Sequence, residues 1–274
     1  MSRTLVHISD IHFGRIHEPT VEPLIRQITS MNPDVLVVSG DLTQRAKSEE
    51  FREARRFLDR LPSPQVVVPG NHDVPLYNVY GRFVQQLDRY RRYISEDLQP
   101  AYIDDEIAVL GVNTARAFTW KGGRINDFQI AELHSRLCAI DDRVVKVVVT
   151  HHPFDLPEHF QDSNLVGRAR TAMRHLAACG ADLLLAGHFH ISHTGCTARR
   201  YQISGHSAVI VQAGTATSSR GRGEYNSFNK IIAEPERLVV ERWTWIAGTE
   251  SFNHSAADEY RYTQDGWMPV LCSS

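Results

Sequence analysis

Gln65-Val66-Val67-Val68-Pro69-Gly70-Asn71-His72-Asp73 is the stretch on which the fold turns. A short apolar, β-branched run reads as a buried strand, Pro-Gly breaks it, and three polar side chains with metal-binding chemistry follow at once. The same arrangement recurs upstream. Thr4–Ser9 is an apolar run ending in Asp10-Ile11-His12, and Val35–Val38 is a run leading to Gly40-Asp41. Between these runs lie two helical patterns. Thr20–Met31 has Val21, Leu24, Ile25 and Ile28 at helical spacing with Pro23 in its first turn, and Ser48–Leu61 has Phe51, Ala54, Phe57 and Leu58 on one side. The order is β-α-β-α-β with candidate ligands after every strand. Open parallel sheets place ligands at the carboxyl ends of their strands, so spacing and chemistry agree.

The second half repeats the theme. Ile107–Val112 reads as a strand, Asp127–Ile140 as a helix with Asn126 or Asp127 as N-cap, and Val144–Val149 as a strand entering His151-His152-Pro153. Residues 154–168 read as a loop over the site. Arg170–Ala178 is a helix closed by Gly180, and Leu183–Ala186 is a strand ending in Gly187-His188-Phe189-His190. A further helix is expected around Arg82–Ile94. Beyond the last motif, Ala208–Gln212, Asn229–Ala233 and Arg237–Trp245 read as strands with no helices between them, which suggests an antiparallel meander completing a second sheet. Residues 247–274 are polar with scattered aromatics and are expected to be a tail, either wrapping the domain or acting as a dimer arm. The economical fold class is a two-sheet α/β domain.

With 274 residues, 42% of them hydrophobic, the chain has ample material for a core. A formal net charge of −2 gives no electrostatic footprint for nucleic acid as a main partner. No apolar run approaches the length of a membrane span. The amino terminus enters strand-like sequence directly, without a signal-peptide core. None of the four cysteines lies in a C-x-x-C pair; Cys138 and Cys179 fall in helical runs and read as buried free thiols. Scattered free thiols favour a reducing compartment, so the cytoplasm is the expected location.

Taken singly, each ligand-rich motif has an ordinary explanation: a capping pair, a turn, a loop. Five of them, each at a strand end, are harder to explain that way. Carboxylate and imidazole donors without thiolate suit Mn²⁺, Fe²⁺ or Zn²⁺ and disfavour a structural thiolate site. Asp10 and His12, two apart beyond a strand, can reach one ion; His188 and His190 repeat that geometry; Asp41 has two oxygens with which to bridge; Asn71 offers a carbonyl oxygen. Two adjacent divalent ions can hold a phosphate and generate a hydroxide to attack it.

On these motifs the chain resembles the calcineurin-like metallophosphoesterase superfamily, over residues 4–230. The family carries D-x-H, G-D, G-N-H-[D/E], H and G-H-x-H in this order. The resemblance implies a four-layer αββα sandwich of two mixed β-sheets flanked by helices, formed by a metallophosphoesterase domain over residues 1–246. It also implies two divalent ions. One would be held by Asp10, His12, Asp41 and His190, the other by Asp41, Asn71, His151 and His188, with Asp41 as the bridge. His152 is the fallback for His151 and otherwise lies behind the ligands. His72 would sit beside the ions, contacting phosphate or protonating the departing oxygen, as imidazole can near neutral pH. Asp73 would orient His72 or serve a turn. Gln44 stands where the protein Ser/Thr phosphatases have an Asp before a phosphate-contacting arginine, so Arg45 reads as a solvated side chain. Gln44 also stands where purple acid phosphatases place a tyrosine ligand, so two divalent ions are expected.

Within the superfamily the motifs, together with Asn226-Ser227-Phe228-Asn229, look most like the bacterial class III cyclic-nucleotide and glycerophosphodiester branch. That implies a phosphodiesterase acting on a small phosphoester, with a 3',5'-cyclic nucleotide as the leading substrate, by attack of a metal-bridged hydroxide. Phosphomonoesters, glycerophosphodiesters and nucleotide-lipid pyrophosphates are the alternatives; a scaffold that kept the fold would be expected to have lost ligands. Asn113–Trp120, Phe154–Val166 and Ile191–His193 are candidates for the pocket wall, although Asn113 and Arg116 read more simply as a turn.

Overall fold

The computed structural model describes residues 1–75, 86–116, 122–157, 160–220 and 223–270. Two β-sheets lie face to face with helices on both outer sides, the four-layer sandwich expected. The first sheet has the order β13 (Gly266–Pro269), β12 (Ser251–Thr263), β11 (Arg237–Ile246), β10 (Ser227–Glu234), β1 (Arg3–Ile8), β2 (Val35–Val38), β3 (Gln65–Val67), and the second β4 (Ala101–Ile103), β5 (Ile107–Gly111), β6 (Val145–Val149), β7 (Leu183–Ala186), β9 (Val209–Gln212), β8 (His193–Cys196). In the first, β1 (Arg3–Ile8), β2 (Val35–Val38) and β3 (Gln65–Val67) are parallel, joined by α1 (Val21–Met31) and α2 (Ser48–Leu58). In the second, β5 (Ile107–Gly111), β6 (Val145–Val149), β7 (Leu183–Ala186) and β9 (Val209–Gln212) are parallel, with α4 (Asp127–Cys138) and α5 (Ala169–Ala178) as the first two connections. α3 (Asp88–Tyr93) covers the first sheet beside α2.

The strand pleat explains the unbroken apolar runs. In β2, Val35 and Val37 face the second sheet while Leu36 and Val38 face α1 and α2. In β7, Leu183 and Leu185 face inward between the sheets and Leu184 faces the α4–α5 layer. Strands buried on both faces have no polar side to show. Full burial of each such side chain stabilises by roughly 1.5–3 kcal/mol. At α4 the Asn126 side-chain Oδ1 accepts from Gln129 N at 2.8 Å, the N-cap expected.

The structure departs from the sequence reading in four places. Cys138 and Cys179 are not free thiols: they form a disulfide between the ends of α4 and α5, with Cα atoms 4.7 Å apart. The segment expected as a tail continues the first sheet as β12 (Ser251–Thr263) and β13 (Gly266–Pro269), pairing successively on β11 (Arg237–Ile246). The 154–168 loop sends Phe154, Leu156, Leu165 and Val166 into the core beneath α4 and α5. Beyond the helix expected around Arg82–Ile94, a strand with no counterpart in the sequence reading, β4 (Ala101–Ile103), lies at a sheet edge. Of the helix expected over 82–94, residues 88–93 are helical and 82–85 lie outside the described residues, as do 117–120 of the first pocket-wall candidate. Among the described residues no helix is long and apolar enough to cross a membrane.

Candidate metal centre

All five motifs converge at the carboxyl ends of the parallel strands, where the two sheets meet. Asp10 and His12 follow β1, Asp41 follows β2, Asn71 follows β3, His151 follows β6, and His188 and His190 follow β7. The turns that carry them are sharp. Asp10, His12, Asp41, His188 and His190 all have positive φ, between 52° and 77°. Such geometry in non-glycine residues costs on the order of 1–3 kcal/mol each and is characteristic of functional sites. Cross-bracing between turns holds it in place: Asp10 N donates to Gly40 O (3.1 Å), His12 N to Asp41 O (3.0 Å), and Phe13 N to Leu42 O (2.9 Å). Thr215 and Thr217 add hydroxyl bonds to the carbonyls of Asp10 (2.7 Å) and Ile11 (2.8 Å).

The donor atoms form two adjoining groups. In the first, Asp10 Oδ1 faces His190 Nε2 at 3.1 Å and His12 Nε2 at 3.6 Å, and the two Nε2 atoms stand 3.1 Å apart. The Nδ1 atoms are turned outward, toward Thr43 O (3.3 Å) and Arg220 O (3.1 Å). Backbone carbonyls there select the Nδ1–H tautomer and leave both Nε2 lone pairs pointing at each other. In the second group, His151 Nε2 lies 3.1 Å from Asn71 Oδ1 and 3.3 Å from His188 Nδ1, while His151 Nδ1 faces Ser39 O at 2.7 Å. Asp41 Oδ2 lies between the groups, 3.7 Å from His12 Nε2 and 3.4 Å from His151 Nε2. Its other oxygen accepts from His72 N at 2.8 Å.

This donor set fits divalent cations. Asp10 Oδ1 is fully buried without a hydrogen-bond donor, while its Oδ2 accepts from Ser9 Oγ (2.7 Å) and His188 N (2.9 Å). A buried carboxylate oxygen aimed at imidazole lone pairs is an arrangement a cation would satisfy. Burial opposes ionisation of Asp10 and Asp41, but the facing histidines prevail and hold both well below the usual carboxylate range. Burial lowers His12 and takes His188 down to about 3, whereas Asp41 overcomes burial at His151 and raises it to about 9. At neutral pH the carboxylates are therefore ionised and His12 and His188 neutral, while Asp41 and Asp10 favour a proton on His151 and His190 that a ligating cation would displace.

Of the two roles weighed for Asp73, the turn is the one it takes. Asp73 does not orient the His72 ring. Its carboxylate instead accepts from Gly70 N (2.9 Å), Leu42 N (3.2 Å), Thr43 N (2.9 Å) and Thr43 Oγ1 (2.9 Å), clamping the β2 and β3 turns together. The His72 ring is set by Gln44 O, which accepts from Nδ1 at 2.8 Å. His152 lies behind the second group; its Nδ1 meets Thr114 Oγ1 at 2.8 Å and its Nε2 has no hydrogen-bond partner. Its ring sits 4.6 Å from that of His188. Asn113 closes a turn by accepting from Ala115 N at 2.9 Å.

One residue was not foreseen. Arg220 brings its guanidinium to 3.2 Å from His72 Nε2 and 3.4 Å from Gln44 Oε1, while its carbonyl holds His190. A half-buried cation thus stands beside the metal-type donors, on a loop whose sequence carries no motif.

Residues 3–192 match the family model described as Calcineurin-like phosphoesterase. A glycerophosphodiester phosphodiesterase, GpdQ, of Enterobacter lignolyticus is 28% identical over 56% of this chain and 58% of its own length. A probable cyclic nucleotide phosphodiesterase of Synechococcus is 24% identical over 56% of this chain and 59% of its own. The match thus spans less than two thirds of the length of these relatives. Among solved structures, a dimetal phosphatase from Danio rerio shares the fold with a TM-score of 0.63 at 13% identity, covering 95% of this chain and 99% of that one.

Proposed function

We propose, for a chain that belongs to the calcineurin-like phosphoesterase family, that the centre hydrolyses a small phosphodiester with two divalent ions. One ion would be held by Asp10, His12, Asp41 and His190, the other by Asp41, Asn71, His151 and His188. The observation that carries this reading is the position of Asp41 Oδ2 between the two imidazole groups, within 3.7 Å of each. Two such ions would supply positive charge for the phosphate oxygens and a hydroxide at neutral pH. His72 and Arg220 flank the space beside them. The Arg220 guanidinium offers a planar fork to phosphate oxygens. Gln44 O accepts from His72 Nδ1 and so turns Nε2 toward the same space, where it accepts from Arg220 and, once it takes up a proton, would stabilise or protonate the leaving oxygen. His152 supports the second group from behind, and Asp73 keeps the β2 and β3 turns in register.

A 3',5'-cyclic nucleotide is the leading substrate, on the likeness of the motifs to that branch and on the name of the Synechococcus relative. A glycerophosphodiester is the second reading, supported by the name of the Enterobacter relative. Manganese, iron or zinc(II) all suit the donors.

The test is a turnover screen of Mn²⁺-loaded protein over cyclic nucleotides, glycerophosphodiesters and phosphomonoesters, with metal content measured alongside. Two ions per chain and cleavage of a diester are expected, and Asp41→Asn should lose at least one ion and 100-fold or more in kcat. Protein holding two ions that cleaves none of these esters would overturn the proposal.

A further inference from the structure

Far from this centre, α4 and α5 carry one spacing twice: His134-x-x-x-Cys138 and His175-x-x-x-Cys179. Residues four apart lie one above the other on a helix, so each pair presents imidazole and sulfur on a single face. α4 and α5 pack together, and these two faces meet. The rings of His134 and His175 stand edge to face with centroids 5.2 Å apart, and Cys138 Sγ lies 3.8 Å from His134 Nε2. Donor atoms of His134, Cys138 and Cys179 all fall within 4.8 Å of one another. A disulfide needs neither imidazole. Two sulfurs and two imidazoles brought together by matched helical pairs are the donor set of a tetrahedral zinc-type site.

We propose that Cys138 and Cys179, when reduced, join His134 and His175 to hold one divalent ion of the zinc class, and that the disulfide is the oxidised, ion-free state of the same site. The exchange balances with a dithiol as co-reactant. The dithiol donates two electrons and two protons, leaves as its own disulfide, and frees two protein thiols. Ion entry then displaces two protons as both sulfurs ligate as thiolates. A tetrahedral site places its sulfurs about 3.8 Å apart. Cys138 is the last residue of α4 and Cys179 lies one past α5, so side-chain rotation at two helix ends provides that opening. His175 and Cys138 are exposed, which gives the ion an entry. None of the four residues belongs to the phosphoester centre, so this inference stands or falls separately from the proposed function.

The sulfur donors supply a readout that the other centre lacks. The full chain, reduced with a non-chelating phosphine, is titrated with Co²⁺ while thiolate-to-cobalt absorption is followed in the near ultraviolet. That absorption should level off at the amplitude of one sulfur-bound cobalt ion per chain, Zn²⁺ should bleach it, and the untreated disulfide form should not develop it. Cys196→Ser, at the buried third cysteine, should leave it intact. Cys138→Ser/Cys179→Ser should abolish it, and His175→Gln, on an exposed helix face, should weaken Co²⁺ affinity at least tenfold. Reduced protein without sulfur-to-cobalt absorption would overturn the proposal. So would absorption whose affinity is unchanged by both His134→Ala and His175→Gln, since that would make the ion an adventitious guest of two thiols.

Discussion

Arg220 acts at the mouth of the centre through two separable parts. Its carbonyl holds His190, and its guanidinium reaches His72 and Gln44. A side-chain substitution therefore spares the ligand and removes only the cation. Arg220→Lys should keep the full metal content but raise KM for the diester about tenfold, corresponding to ~1.4 kcal/mol, because an ammonium cannot reproduce the planar fork. Metal analysis beside steady-state kinetics checks this; unchanged KM would remove Arg220 from substrate binding. The residues proposed as ligands were legible because each directly follows a strand, and strand ends are local features of sequence. Arg220 was not, because only the tertiary path of the 213–220 loop, braced by Thr215 and Thr217, brings it to His72.

Among the elements, the turn after β3 illustrates how closely the two carboxyl-end turns approach. A Cβ on Gly70 would overlap both the Asp41 carboxylate and its backbone nitrogen. Gly70→Ala should thus displace the Asp41 side chain, lower bound metal below the proposed two ions per chain, and destabilise the fold by roughly 1–3 kcal/mol. Emission spectroscopy of metal content together with a thermal midpoint tests it; a variant matching the parent in both would show that the turn can give. The parallel elements were readable from continuous apolar runs. β12 was not, because most of its residues are exposed and it shows neither alternation nor a buried run. The disulfide escaped for a related reason: Cys138 and Cys179 are 41 residues apart and meet only when α4 packs on α5.

At the scale of the whole molecule, Asp182 ties the two sheets together. Its carboxylate accepts from Lys146 N (2.8 Å) within the second sheet and from Trp267 Nε1 (2.8 Å) on β13 of the first. Burial pushes this carboxyl up to about 6. Between its ordinary value near 4 and that value, the folded protein keeps a proton the unfolded chain has released. Stability from this group is therefore full below about pH 4 and is lost as pH rises through 6, on the order of 3 kcal/mol in all. Asp182→Asn, which cannot titrate, should lack that slope. Urea midpoints of parent and variant at pH 4.5 and 7.5 should move closer, or cross, as the pH rises; a constant difference would exclude the assignment.

The apolar layer between the sheets has a further consequence. Asp10, Asp41 and Asn71 hang from one sheet, while His151, His188 and His190 hang from the other. The gap across which Asp41 addresses His151 is therefore gauged by Leu5, Val37, Val147 and Leu185 below it, all of them fully or almost fully buried. Those side chains act as the jaws of a caliper. A methyl group added or removed there, remote from the candidate metal centre, would be registered at that centre as a change in the spacing of Asp41 and His151.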